Sequence, residues 1–230
     1  MINFISTIKG LEDIEECLPR PTKSFIPSWW KDLDSSDPIS IKRCPSFPDF
    51  FSQGFVIPMW SDVTFSFDKK KDYWNVRGEA GSPEWVNHSN KQFVDHVTPS
   101  FMNMDADIVF KAICPWRIIT DPGYSVLQIP LFYHFNKQWS VMPGVIDTDI
   151  YHEINQQVLY HGDGQEVTIK KGDPFVMYIP FKREKNDYSI RYQTSQDIQT
   201  LVNSKNKMNG YSLGDGAYRK MQRDRDKNVR

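Results

Sequence analysis

Asp62-Val63-Thr64-Phe65-Ser66-Phe67-Asp68 alternates polar and apolar residues without interruption, placing Val63, Phe65 and Phe67 on one face. This period of two is that of a half-buried β-strand, in which successive side chains point to opposite faces. Lys69-Lys70-Lys71-Asp72 then forms a polar tip, and residues 73–77 return, so the stretch predicts a hairpin.

Working outward, an apolar run at 55–60 precedes the hairpin, and strand patterns follow at 108–113, 116–120, 124–135 and 140–146. Asp121-Pro122-Gly123 is a turn between two of these. A meander continues through 157–160, 167–170 and 175–181. It is punctuated by His161-Gly162-Asp163-Gly164 and Lys171-Gly172-Asp173-Pro174, and 188–192 closes the β region. Residues 78–100 carry no regular pattern.

At the N-terminus, 2–5 reads as a strand and 11–18 as weakly helical. Residues 28–33 read as one or two helical turns, 39–42 as a strand and 45–51 as a compact aromatic turn. Near the C-terminus, Ile198, Leu201 and Val202 fall on one helical face with Gly210 as a stop, and a charged segment runs from 218 to 230. About ten short strands predict a mainly β protein: an antiparallel sandwich, jelly-roll-like or a distorted barrel. Short helical turns precede it and a helical appendage follows. The strands run without a linker, so the expected division is one β-rich domain over 1–194 and a C-terminal extension over 195–230.

Composition supports this reading. Seven Trp, ten Tyr and fifteen Phe suit pleated surfaces, and fifteen Pro argue against long helices. The net charge of −1 excludes a general attraction to nucleic acid or anionic membrane. Charge is uneven, however: residues 204–230 carry eight Lys or Arg against three Asp, leaving a mildly acidic body. Asp224 and Asp226, set among the basic residues of the tail, weigh against nucleic acid there as well. Cys17, Cys44 and Cys114 are odd in number and widely spaced, which fits a reducing compartment rather than a disulfide scaffold or a zinc ribbon. With no apolar run of membrane length and no signal-peptide pattern at the N-terminus, the expectation is a cytoplasmic protein.

The densest polar cluster is Asp147-Thr148-Asp149 with Tyr151-His152-Glu153 after it. Carboxylates one residue apart in a loop suit a divalent cation, and His134 lies on a neighbouring predicted strand. Asp147, Asp149, His152, Glu153 and His134 are therefore the candidate metal ligands. The competing reading is a solvated turn whose Asp side chains cap backbone donors. The run from His152-Glu153 through His161-Gly162 to Lys171-Gly172-Asp173-Pro174 is similar to a cupin, but position 150 is Ile and no histidine follows His161. His161-Gly162-Asp163 likewise offers two corners of an oxygenase iron triad and lacks the third. No nucleophile elbow, Walker loop or dinucleotide fingerprint occurs. Seven Trp leave open a stacking face for carbohydrate or nucleotide.

Three N-terminal stretches carry a family resemblance: Phe25-Ile26-Pro27-Ser28-Trp29, Ile41-Lys42-Arg43-Cys44-Pro45, and Gly54-Phe55-Val56-Ile57-Pro58-Met59-Trp60-Ser61-Asp62-Val63. Thr120-Asp121-Pro122-Gly123-Tyr124-Ser125, Gly144-Val145-Ile146-Asp147-Thr148-Asp149 and the Lys171-Gly172-Asp173-Pro174 turn running to Ile179-Pro180-Phe181-Lys182-Arg183 continue it. Together they resemble a family of uncharacterised β-rich proteins of this length encoded by tailed phages and bacteria. The resemblance implies a phage or bacterial source, in the host cytoplasm or in a virion, and brings no catalytic residues. The leading expectation is a non-catalytic binding or structural module, with a protein partner or a homo-oligomer formed through the C-terminal extension. The alternative is a metal-dependent jelly-roll enzyme, cupin-like or an oxygenase.

Overall fold

The computed structural model describes residues 1–37, 40–68, 70, 73–78, 85–87, 108–161, 165–185, 187–210 and 217–228. By contacts the chain divides into two compact units, Met1–Pro27 with Ser52–Arg183, and Ser28–Phe51 with Glu184–Arg230. The segment 28–51 thus groups with the C-terminal residues rather than with the β-rich part to which its place in the sequence assigned it.

The first unit is built from antiparallel strands. They are β1 (Ile2–Ser6), β2 (Arg20–Pro21), β3 (Phe55–Pro58), β4 (Val63–Asp68), β5 (Tyr73–Gly78), β6 (Trp85–Asn87) and β7 (Ile108–Ala112). The series continues with β8 (Trp116–Thr120), β9 (Tyr124–Ile129), β10 (Trp139–Val141), β11 (Gly144–Ile146), β12 (Gln156–Tyr160), β13 (Val167–Ile169) and β14 (Pro174–Lys182). They form four sheets ordered β1-β8, β10-β12-β7-β6, β11-β9-β14-β3-β2 and β13-β4-β5. The deciding hairpin is present: β4 pairs with β5, and Val63 and Phe65 are buried as their alternation requires.

One apolar cluster joins these sheets. Phe65 of β4 meets Phe110 of β7 and Tyr160 of β12 edge-on, with centroids 4.7 and 5.6 Å away. Phe175 of β14 lies 5.9 Å from Trp60 and 5.4 Å from Trp139. A buried polar chain crosses the same core. The Tyr178 hydroxyl donates to Gln128 Oε1 at 2.7 Å and accepts from Gln156 Nε2 at 2.7 Å. Gln128 Nε2 donates to the Met142 carbonyl at 2.8 Å. Three strands of two sheets are thereby tied through groups that are costly to leave unpaired.

Several elements depart from the sequence pattern. The strand at 124–135 stops at Ile129, before Pro130, and residues Phe132–His134 form a 3-10 turn. The stretch 140–146 is two strands of different sheets, broken at Pro143, which has no N–H to donate. Residues Ile41–Arg43 form a 3-10 turn capped by the Ser40 hydroxyl instead of a strand. Residues 85–87 form β6, whereas no regular element is expected at 78–100 from sequence; the rest of 79–107 lies outside the described residues. Residues 188–192 belong to no strand. The tips at 69, 71–72 and 162–164 and the Gly-rich link at 211–216 also lie outside the described residues.

The second unit holds α1 (Ser28–Asp32), α2 (Ser46–Phe51), α3 (Ser195–Gly210) and α4 (Ala217–Asn228). Trp30 is buried, stacked on Phe47 at 5.4 Å and edge-on to Phe51 at 5.3 Å. Gln222 of α4 donates to Asp49 of α2 at 3.0 Å. Thr194 and Asp197 cap α3 reciprocally: the Thr194 N–H donates to Asp197 Oδ2 at 2.7 Å and the Asp197 N–H to Thr194 Oγ1 at 3.3 Å. No described helix is long and apolar enough to cross a membrane.

Candidate functional site

The acidic loop follows β11 and is folded by its own backbone. The Ile150 and Tyr151 N–H groups donate to the Asp147 carbonyl at 3.0 and 2.9 Å. Thr148 is buried, its hydroxyl 2.8 Å from that of Thr120 on β8. This turn aims Asp147 and Asp149 at Arg183, at the end of β14.

The Arg183 guanidinium donates to Asp149 through both Nη1, at 2.9 Å, and Nη2, at 2.5 Å, and lies 3.2 Å from Asp147 Oδ1. Nη1 also donates to Ser125 Oγ at 2.9 Å, and Ser125 Oγ donates to Asp147 Oδ1 at 2.6 Å. The predicted turn at 121–123 completes the arrangement. Gly123 adopts φ +83°, and its N–H donates to Asp149 Oδ2 at 2.8 Å. Arg183, foremost, and the Gly123 N–H hold the Asp149 carboxyl down at about 2. Bidentate pairing of this kind is the strong form of the arginine–carboxylate contact.

The other candidate ligands are committed elsewhere. Glu153 accepts from the Tyr151 hydroxyl at 3.1 Å and from Asn155 Nδ2 at 3.2 Å, and lies 3.5 Å from Arg117 Nη2. The Glu153 contact pushes the Tyr151 phenol above its ordinary range. His152 Nδ1 donates to the Thr148 carbonyl at 3.0 Å, and His134 Nε2 donates to the Phe25 carbonyl at 2.9 Å. Burial lowers the pKa of His134. Asp147 and Asp149 therefore converge, but on an arginine, and His134, His152 and Glu153 do not join them as one ligand set. Among the described residues no group of three His, Cys, Asp or Glu is placed to hold a metal ion. The physical reason is that the cationic charge which two adjacent carboxylates call for is supplied by Arg183. Sequence reasoning missed Arg183 because the partners lie 34 residues apart.

Beside the loop opens a cleft of about 500 Å³. Gly144, Val145 and Ile146 of β11 form one wall, and Lys111 of β7 with Gln157 of β12 the other. Tyr151, Glu153 and Asn155 add a phenol, a carboxylate and an amide. Its rim is apolar: Val145 is 60% exposed, Tyr151 55%, and the adjacent Ile150 76%. Trp30, Trp60, Trp116 and Trp139 are buried and Trp29 is half-buried against Trp30, so these five form no open stacking face.

Fold and site together define a mainly β protein with open sheets and a polar cleft beside an arginine-clamped loop. No protein-family model matches the chain, and no curated protein matches it in sequence. Among solved structures, a native dUTPase of EIAV is similar with a TM-score of 0.36 and 9% identity, over 85% of this chain and 99% of that one. A mutant dUTPase from phage phi11 of S. aureus is similar with a TM-score of 0.34 and 10% identity, over 62% of this chain and 85% of that one.

Proposed function

We propose that this protein is a binding module of a phage-type genome, and that the cleft along β11 receives an extended polypeptide. The observation that carries this reading is the position of β11. It is the end strand of its sheet among the described residues, and its exposed Val145 adjoins the apolar Ile150–Tyr151 corner. A sheet edge offers backbone donors and acceptors to an added strand, while alternate side chains enter flanking pockets. Lys111, Asn155 and Gln157 suit the polar groups of such a strand. The arginine-clamped carboxylates favour binding over metal chemistry, because a cation entering the loop would first have to displace Arg183.

The test is selection from an immobilised library of random decapeptides, with wild-type protein and Tyr151→Ala compared on the selected sequences. Selected peptides are expected to bind the variant at least tenfold more weakly. Equal binding to both proteins, or no selection at all, would sink the cleft reading. Elemental analysis after incubation with iron, manganese and zinc is expected to find no stoichiometric metal. One ion per chain, lost on Asp149→Asn, would restore the enzyme alternative.

A further inference from the structure

Tyr188-Ser189-Ile190-Arg191-Tyr192 has the alternation of a strand and belongs to no sheet. Tyr188 is 87% exposed, Ile190 91% and Tyr192 87%. In an extended chain these three side chains share one face, with Ser189 and Arg191 on the other. Nothing in the conformation of a lone segment accounts for three bulky apolar residues held in water at every second position. The same pattern continues into α3, where Ile198, Leu201 and Val202 form an exposed stripe at helical spacing.

The pattern is its own complement. Read antiparallel about Ile190, Tyr188 falls opposite Tyr192, Ile190 opposite Ile190, and Ser189 opposite Arg191. Such a register satisfies the requirement of a two-fold interface, that one patch match itself. It sets Tyr directly across from Tyr at both ends and Ile across from Ile at the centre, and cross-strand aromatic pairs stabilise a ladder. We propose that residues 188–192 pair antiparallel with the same segment of a second copy of this chain, and that the α3 stripe packs against this ribbon.

The available area fits that occupant. With aromatic side chains taken at about 200 Å² each, the six apolar residues expose roughly 700 Å² per copy. A standard interface buries about 800 Å² on each partner. A two-stranded ribbon alone is marginal in water, so the helical stripe is a necessary part of the contact. The segment is also tied to the helix at one end: Arg191 is paired with Asp197, which caps α3. None of the six apolar residues lines the cleft beside the acidic loop.

The test uses the full chain with Cys44→Ser, which removes the exposed thiol and leaves the buried Cys17 and Cys114. Sedimentation equilibrium is expected to give twice the chain mass at high concentration, halved by Ile190→Asp with an unchanged far-ultraviolet spectrum. Two new aspartates would then face each other across the axis. Oxidation of Ile190→Cys is expected to yield linked dimers, since position 190 meets itself, and Tyr188→Cys far fewer. A single-chain mass at every soluble concentration overturns the proposal. So does a dimer that survives Ile190→Asp, or one that links equally through positions 188 and 190. Tyr151→Ala should leave the mass unchanged, which separates failure here from failure of the cleft reading.

Discussion

Gly54 and Tyr178 show how closely two backbones approach inside the five-stranded sheet. Gly54 has φ +58°, and a Cβ placed there would press on the Tyr178 carbonyl, whose carbon would lie 2.9 Å away. A side chain meets both a left-handed backbone and a rigid wall, so Gly54→Ala should cost about 2–4 kcal/mol in urea unfolding. Tyr178 itself is fully buried, and burial drives its phenol well above the ordinary range, so it serves only as a neutral hydrogen-bonding group. Tyr178→Phe should strand Gln128 Oε1 and lose the acceptor for Gln156 Nε2 at a cost of about 1–3 kcal/mol. A change in stability within a few tenths of zero would show that water replaces the hydroxyl. Neither role is visible in the sequence, where Gly54 merely precedes an apolar run and Tyr178 is one residue of a meander.

Elements were legible where a single face decides them. Strand patterning located β4, β8, β12 and β13, because each has one buried face and needs only its own residues to show it. It failed at 188–192, which has the pattern and no partner strand among the described residues, and at 140–146, where a proline divides one apolar run between two sheets. The acidic loop was found as a cluster, but its chemistry was set by the end of β14. That pairing predicts a pH dependence. The folded Asp149 carboxyl, at about 2, lies below its ordinary 3.8, so the ion pair stabilises the fold above the ordinary value. This contribution should fade as the pH falls from about 4 towards 2. Carboxyl carbon NMR should show Asp149 titrating near 2 in the wild type and closer to 3.8 in Arg183→Ala. The low-pH limb of the stability curve should flatten in the same variant. An unmoved titration would assign the depression to the Gly123 N–H instead.

For the whole molecule, the three cysteines report on integrity. Cys44 is exposed, and its contact with Ser46 lowers its pKa, so it is the thiol ready to react. Burial raises Cys17 and pushes Cys114 up to about 12. An aromatic disulfide reagent should therefore titrate one thiol quickly in the native protein and three after denaturation. Two fast thiols would mean that the core around Cys17 or Cys114 opens readily. Sequence patterns gave the strand content but not the grouping of 28–51 with 184–230, because such contacts are between segments some 150 residues apart and leave no local trace.

The guanidinium between Asp147 and Asp149 has a consequence for where such a protein can work. A loop shaped by calcium or magnesium inherits the fluctuations of its medium, opening when the ion is scarce and closing when it is plentiful. Here the counter-ion is covalently part of the chain, so its supply is constant from one cell, growth medium or virion to another. The same economy leaves a latent route to novelty. Losing one side chain, Arg183, would bare two adjoining carboxylates on a turn already braced by Thr148 and Gly123, the first step from a built-in counter-ion towards a borrowed one.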